Sequence, residues 1–280
     1  MDIFIVSFSV LCAFIMIDAA PIPLEMVDMS YVFDNNTLHK PKTEKFRLIL
    51  KHNGTTEKGF WLQSDNYSSG VHVGTHIDAP CHFAKGRWCV DQIPLDHLVA
   101  PAAVIDVTKQ TKNDSDYLVK VDDLMKWEIL SGKSLDSTIV MLRSGWGRRW
   151  GDRESFTGTT GNDTTQLHFP GMSEEASKWL IENRSIYGLG TETLSIDSGQ
   201  SRDFKTHRVL NEGNVFGLEN VANMEEIPLY GATLYVMPMK IRHASGAPVR
   251  IIATFPKPIF ATEGGKTATE GFLREVIIFH

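Results

Sequence analysis

Residues 70–83, Gly-Val-His-Val-Gly-Thr-His-Ile-Asp-Ala-Pro-Cys-His-Phe, constrain the fold of this chain more than any other stretch. Three of the ten histidines fall within eleven residues here, where a uniform scatter would place about 0.4. His72 and His76 are four apart, a spacing that stacks side chains on one face of a helix. Helix is excluded, because Gly74 and Thr75 are poor helix formers and Pro80 drives Ala79 toward extended backbone. In an extended chain side chains alternate, so His76, Asp78, Pro80 and His82 point to one side and two imidazoles and a carboxylate converge on a cation. Nitrogen and oxygen donors without cysteine suit Zn²⁺ or Mn²⁺ rather than Cu(I) or an iron–sulfur cluster.

The rest of the chain alternates strand and helix signals. Residues 46–50, 102–107 and 138–142 are short β-type apolar runs, the last bounded by Gly145, and each reads as a buried strand. Residues 121–130 place Val121, Leu124, Met125, Glu128 and Ile129 at near-helical intervals. Ser173-Glu174-Glu175 opens a second helix with a capping serine and acid in its first turn, and Ala176, Trp179 and Leu180 form its apolar stripe. Strands follow at 185–190, 232–237 and 249–255. This alternation predicts an α/β fold, and no linker divides residues 20–280.

The first apolar run predicts the compartment. Residues 1–19 read as a secretory signal peptide with a short h-region closing on Ala19-Ala20, although Asp2 stands where a basic residue is usual. Asn-x-Ser/Thr acceptors occur at Asn35, Asn53, Asn66, Asn113, Asn162 and Asn183. Six of eleven asparagines are thus sequons, where Ser/Thr content predicts about two. The expectation is a secreted glycoprotein. In that setting Cys81 and Cys89, eight apart, form a candidate disulfide, with a nucleophilic Cys81 thiol as the weaker alternative. Twenty-eight basic against thirty-four acidic residues leave −6, so no positive field draws in nucleic acid, and no second long apolar run calls for a membrane. Arg143, Arg148, Arg149 and Arg153, interleaved with Trp146 and Trp150, read as a solvated face over an aromatic anchor rather than an anion site. No serine-hydrolase elbow or phosphate loop is present.

The string His72-Val-Gly-Thr-His76-Ile-Asp78-Ala-Pro-Cys-His82-Phe83 resembles the signature of the cyclase family, His-x-Gly-Thr-His-x-Asp-x-Pro-x-His-Phe, and every fixed position matches. The family includes bacterial kynurenine formamidase and isatin hydrolase. The similarity continues through Leu142-Arg143-Ser144-Gly145-Trp146, His168-Phe169-Pro170-Gly171-Met172-Ser173 and Ser195-Ile196-Asp197, ending near Gly246-Ala247-Pro248-Val249-Arg250. The resemblance implies a swivelling β/β/α fold and a homo-oligomer, a dimer or larger. It implies that His72, His76 and Asp78 bind one metal ion. Asp78 and Glu219 would bridge to a second ion completed by His207, and His82 would be the proton donor and acceptor. Isatin hydrolase resembles this with a single manganese, so one or two ions per subunit are expected. Taken without the resemblance, His207 reads as a surface histidine on a helix and Glu219 as a solvated charge.

The implied chemistry is coherent. A divalent ion brings the pKa of water from 15.7 to about 7 and polarises a carbonyl. A histidine titrating near neutrality then accepts a proton and delivers it to the leaving nitrogen of an amide. Asp106, Asp197 and Ser195 are candidate supporting groups. Two departures stand out. Formamidases of the family carry an aromatic residue before a proline in the N-terminal segment, where this chain has Lys40-Pro41, and Gly190-Thr-Glu192-Thr193 replaces Gly-x-Asp-Thr. The expected function is therefore hydrolysis of a linear or cyclic small-molecule amide. The alternative is a secreted protein that binds metal or a small ligand without turnover, and a free His82 favours the enzyme, since a structural site needs no spare base.

Overall fold

In the computed structural model, which describes residues 23–257, the strands are β1 (Leu24–Asp28), β2 (Arg47–Thr55), β3 (Trp61–Ser68), β4 (His76–Asp78), β5 (Val99–Asp106), β6 (Leu118–Val119), β7 (Ile139–Arg143), β8 (Gly171–Met172), β9 (Gly188–Thr191), β10 (Phe216–Glu219), β11 (Thr233–Pro238) and β12 (Gly246–Pro256). The helices are α1 (Leu95–Leu98), α2 (Thr108–Thr111), α3 (Val121–Ser131), α4 (Arg153–Thr157), α5 (Glu174–Asn183) and α6 (Lys205–Glu212). The expected signal peptide at 1–19 lies outside the described residues, as does the far end of the expected 20–280 domain. Residues 25–256 form one compact unit.

One sheet runs β1-β12-β11-β5-β7-β9-β10-β4, and β4 pairs back onto β12, closing the strands from β12 round to β4 into a barrel. β5, β7, β9 and β10 are parallel neighbours. Parallel strands are covered on both faces, which is why 102–105 and 139–142 are unbroken apolar runs. Alternate residues divide between two cores. Val104 and Met141 join Ile77, Phe216, Leu218, Val236 and Ile251 inside the barrel. Ala103, Ile105, Val140 and Leu142 pack outward with Leu124 and Trp127 of α3, Ala176 and Leu180 of α5, and Leu210 of α6. This is an α/β fold of the swivelling β/β/α kind, as expected.

Three local expectations are corrected. The run at 46–50 is no core strand: β2 and β3 form a separate antiparallel hairpin, and Leu48, Leu50 and Trp61 on it are exposed. Apolar composition alone does not distinguish a projecting arm from a core strand. α3 lies at the expected place but buries Leu124 and Trp127, leaving Met125 and Ile129 exposed, because the Trp127 indole turns inward to donate to the Leu229 carbonyl. The extended alternation expected over 76–82 stops at Asp78, since Pro80 opens a 3-10 turn, Pro80–His82. α5 begins as expected, with Ser173 Oγ accepting the Ala176 N–H at 3.1 Å.

On β9 the inward positions are glycines. A Cβ on Gly188 would overlap the ring of Phe216, its register partner on β10, and one on Gly190 would come 2.5 Å from Met141 Sδ. Gly188→Ala is therefore expected to cost about 1–3 kcal/mol through overpacking, read from urea unfolding. An unchanged unfolding midpoint would contradict this packing.

Candidate metal centre

β4 is paired on both sides, and its registers decide what meets. Glu219 is the β10 partner of His76 and Gly217 that of Asp78. Pro248 and Gly246 of β12 stand opposite the same two residues. Register partners project to the same side. Ile77, Leu218 and Ala247 therefore enter the barrel core, while His76, Asp78 and Glu219 turn the other way, where α6 brings His207. A Cβ on Gly246 would lie 2.5 Å from His72 Cε1, so glycine there leaves the space that the His72 ring fills. Gly74 adopts φ +59°, a left-handed turn, and a Cβ on it would strike the Phe33 ring at 2.7 Å. The structure thus brings together all five residues that the family resemblance implies as ligands.

Each of these histidines has one ring nitrogen held from outside and the other aimed at carboxylate oxygens. His76 Nδ1 donates to the Gly74 carbonyl at 2.9 Å, which leaves the Nε2 lone pair 3.2 Å from Asp78 Oδ1 and 3.4 Å from Glu219 Oε2. His207 Nδ1 donates to Asp197 Oδ2 at 2.5 Å, leaving Nε2 3.0 Å from Asp78 Oδ2 and 3.1 Å from Glu219 Oε1. His72 Nε2 is hydrogen-bonded to Ser245 Oγ at 2.9 Å, and its Nδ1 lies 2.6 Å from Asp78 Oδ1. Lone pairs facing carboxylates repel unless a proton or a metal cation lies between them.

The electrostatics report the same demand. Burial pulls the His76 and His207 rings down, yet the neighbouring carboxylates outweigh it and raise both to about 10. Burial favours the neutral acid at Asp78, but the surrounding imidazoles hold it well below the usual carboxylate range. At Glu219 burial acts in the same sense and is overcome by the Lys40 ammonium and by His207 and His76. His76 Nε2 and Glu219 Oε2 are buried and make no hydrogen bond. His76, Asp78 and Glu219 present ligand atoms within 4.8 Å of one another, as do His72, Asp78 and His82. Unpaired buried nitrogen and oxygen donors so arranged fit a divalent ion.

His82 stands beside this set. Its Nε2 is 4.0 Å from Asp78 Oδ2, its ring stacks on His72 at 4.1 Å between centroids, and it makes no ring hydrogen bond among the described residues. Burial, with His72 and His207 nearby, pushes its pKa down to about 4, which leaves the ring neutral and able to accept a proton. Cys81 and Cys89 are joined, with S–S 2.15 Å and Cα–Cα 5.1 Å, so Cys81 is no free thiol.

The supporting groups separate. Asp197 does two jobs, orienting His207 and capping α6 by accepting the Thr206 and His207 backbone N–H groups. Ser195 Oγ accepts from Lys40 Nζ at 3.4 Å, and Lys40 Nζ is 3.5 Å from Glu219 Oε2. Asp106 belongs elsewhere, receiving Thr108 and lying 3.5 Å from Arg143. Trp146 is a buried anchor with Arg149 stacked over it at 3.6 Å. His207 and Glu219 are both buried, against the surface reading that spacing alone favours. Sequence reasoning missed Ser245, although it directly precedes the family-like stretch at 246–250. Asp197→Asn is expected to weaken divalent-ion binding by about 10–100-fold through loss of His207 orientation, measured by zinc titration. An unchanged affinity would remove Asp197 from the centre.

Comparison with known proteins gives the chain a family. The Cyclase family model matches residues 27–198. An isatin hydrolase from Roseibium aggregatum is 34% identical over 196 residues, 67% of this chain and 73% of its own length. A kynurenine formamidase from Salinibacter ruber is 25% identical over 182 residues, 65% of this chain and 75% of its own. The solved structure of isatin hydrolase A from Ralstonia solanacearum superposes with a TM-score of 0.75 at 32% identity, covering 83% of this chain and 92% of that one. With the family match spanning more than half of its length, the chain belongs to the Cyclase family.

Proposed function

We propose that this protein is a metal-dependent hydrolase that cleaves the C–N bond of a linear or cyclic amide. His72, His76, Asp78, His207 and Glu219 hold zinc or manganese, and His82 carries the proton. The observation that bears most weight is the aim of three imidazole nitrogens at two buried carboxylates, with an unbonded fourth imidazole alongside. The similarity to isatin hydrolases and kynurenine formamidases supports amide substrates of both the ring and open-chain kinds.

A divalent ion bound here supplies nucleophilic water at neutral pH and a polarised carbonyl. His72, His76 and His207 bind through the nitrogens that Ser245, Gly74 and Asp197 leave free. His82 Nε2 accepts a proton as the water oxygen bonds to the carbonyl carbon. It returns that proton to the amide nitrogen, which leaves with the C–N electron pair. Burial of Asp78 and Glu219 keeps bulk water from screening these charges.

Isatin-type lactams and N-formyl aromatic amines are expected to be hydrolysed, with loss of activity on chelation and recovery with zinc or manganese. His82→Ala is expected to lower kcat by about 10²–10⁴-fold while elemental analysis finds metal content unchanged. Turnover that survives complete metal removal would refute the reading, and an active His82→Ala would take the proton role from that residue.

The compartment follows the same logic. All six sequon asparagines, Asn35, Asn53, Asn66, Asn113, Asn162 and Asn183, are exposed, whereas Asn211 and Asn220, outside sequons, are buried. That distribution supports a glycosylated, secreted protein. Among the described residues no helix is long and apolar enough to cross a membrane. Exposed Leu48, Leu50, Trp61 and Leu62 on the β2–β3 hairpin support a homo-oligomer. Expressed in animal or plant cells, the full chain is expected in the medium, with a mass that falls on enzymatic removal of N-glycans. Retention in the cytosol without a mass change would refute secretion.

A further inference from the structure

We propose that Lys40 is a built-in counter-cation of this centre, pairing with Glu219 where a second metal ion would otherwise do so, and that the site accordingly takes one divalent ion per chain. The inference rests on the metal reading above and concerns how that centre balances its charge. Lys40 Nζ lies 3.5 Å from Glu219 Oε2 and 3.4 Å from Ser195 Oγ, and its cation sits 5.8 Å from the centroid of the Phe204 ring. The lysine side chain is 29% exposed and the glutamate 1%, so the ammonium reaches in from the rim to an acid that has no contact with water of its own.

The two oxygens of Glu219 are not equivalent. Oε1 already receives the Ile196 N–H at 3.2 Å and faces His207 Nε2. Oε2 makes no hydrogen bond and faces only His76 Nε2 and the Lys40 ammonium at ion-pair distance. Among the described residues Lys40 is the one permanent cation within 4.0 Å of Asp78, Glu219 or Asp197; their other partners at that range are histidines.

Charge decides the stoichiometry. With the imidazoles neutral, as metal ligands must be, three carboxylates, Asp78, Glu219 and Asp197, against one ammonium leave two negative charges, which one divalent ion neutralises. A second ion would leave two positive charges among side chains that are almost wholly buried, and uncompensated buried charge is strongly disfavoured. With Lys40 neutralised in size-matched form the balance changes, and a second ion has a negative site to occupy.

Zinc titrated calorimetrically into chelator-stripped protein, with elemental analysis of the loaded product, tests this without reference to turnover. The natural chain and Lys40→Arg are expected to take up one equivalent, and Lys40→Met two. Methionine keeps the length and apolar stem of lysine, and an unchanged thermal unfolding curve of the metal-free variants establishes that each is folded. Two equivalents in the natural chain, or one in Lys40→Met, would overturn the role of Lys40. No zinc uptake by the natural chain would overturn the metal reading itself, and this inference with it.

Discussion

Two acids that cannot escape each other are the constraint from which the rest of this structure follows. β4 is only three residues long, yet it is hydrogen-bonded to β10 on one side and β12 on the other, and it closes the barrel. Closure is driven by Ile77, Leu218 and Ala247 entering an apolar core shared by most strands of the ring. Because residues alternate along a strand, the same registers force Asp78 and Glu219 together on the opposite face. Neither can retreat to water without breaking the strand pairing. Folding thus holds negative charge in place, and the imidazole nitrogens gathered around it are arranged for a cation to complete.

In the proposed centre, what separates a ligand from a proton carrier among four neighbouring histidines is the partner on the far side of each ring. His72, His76 and His207 are held by Ser245, the Gly74 carbonyl and Asp197, which fix ring orientation. His82 has no such tether and is positioned by packing: it stacks on His72 and stands edge-on to Phe83. Its backbone is secured instead. The 3-10 turn that bears it is tied at Cys81 by the bond to Cys89 and by the Cys81 N–H donating to the Trp88 carbonyl at 2.9 Å. A fixed backbone with an unbonded ring leaves both nitrogens of His82 available to a reacting molecule.

The motif at 72–82 and the central strands were legible because their signals are local: a proline that forbids helix, and apolar runs of strand length. His207 and Glu219 were legible only through family resemblance. Their burial depends on β10 lying beside β4 and on α6 crossing above, contacts between residues more than a hundred positions apart that no periodicity encodes. Asp197 reads from sequence only as a candidate supporting group; in the fold it caps α6, and that the same carboxylate also holds His207 follows from His207 standing in the first turn of that helix. The exposed run at 46–50 misled for the converse reason, since a hairpin that leaves the body has the same alternation and composition as one that stays.

Burial of an acid is not by itself a sign of chemistry, and this fold contains its own control. Glu192 is as deeply buried as Glu219. Its Oε2 accepts the Ser144 N–H and hydroxyl at 2.6 and 2.8 Å and the Trp146 N–H at 3.2 Å, and Oε1 accepts the Gly147 N–H at 3.4 Å. Burial raises its pKa against the pull of those donors. Glu192 is thereby a strut that ties the loop after β7 to the end of β9, and it requires no cation. Glu219 receives a single backbone N–H on one oxygen and no hydrogen bond on the other. A protein that can satisfy one buried carboxylate so fully, fewer than thirty residues away in sequence, has left the other unsatisfied at the point where two imidazole nitrogens and an ammonium converge. That contrast, more than depth of burial or any single distance, is what recommends Glu219 for the proposed centre.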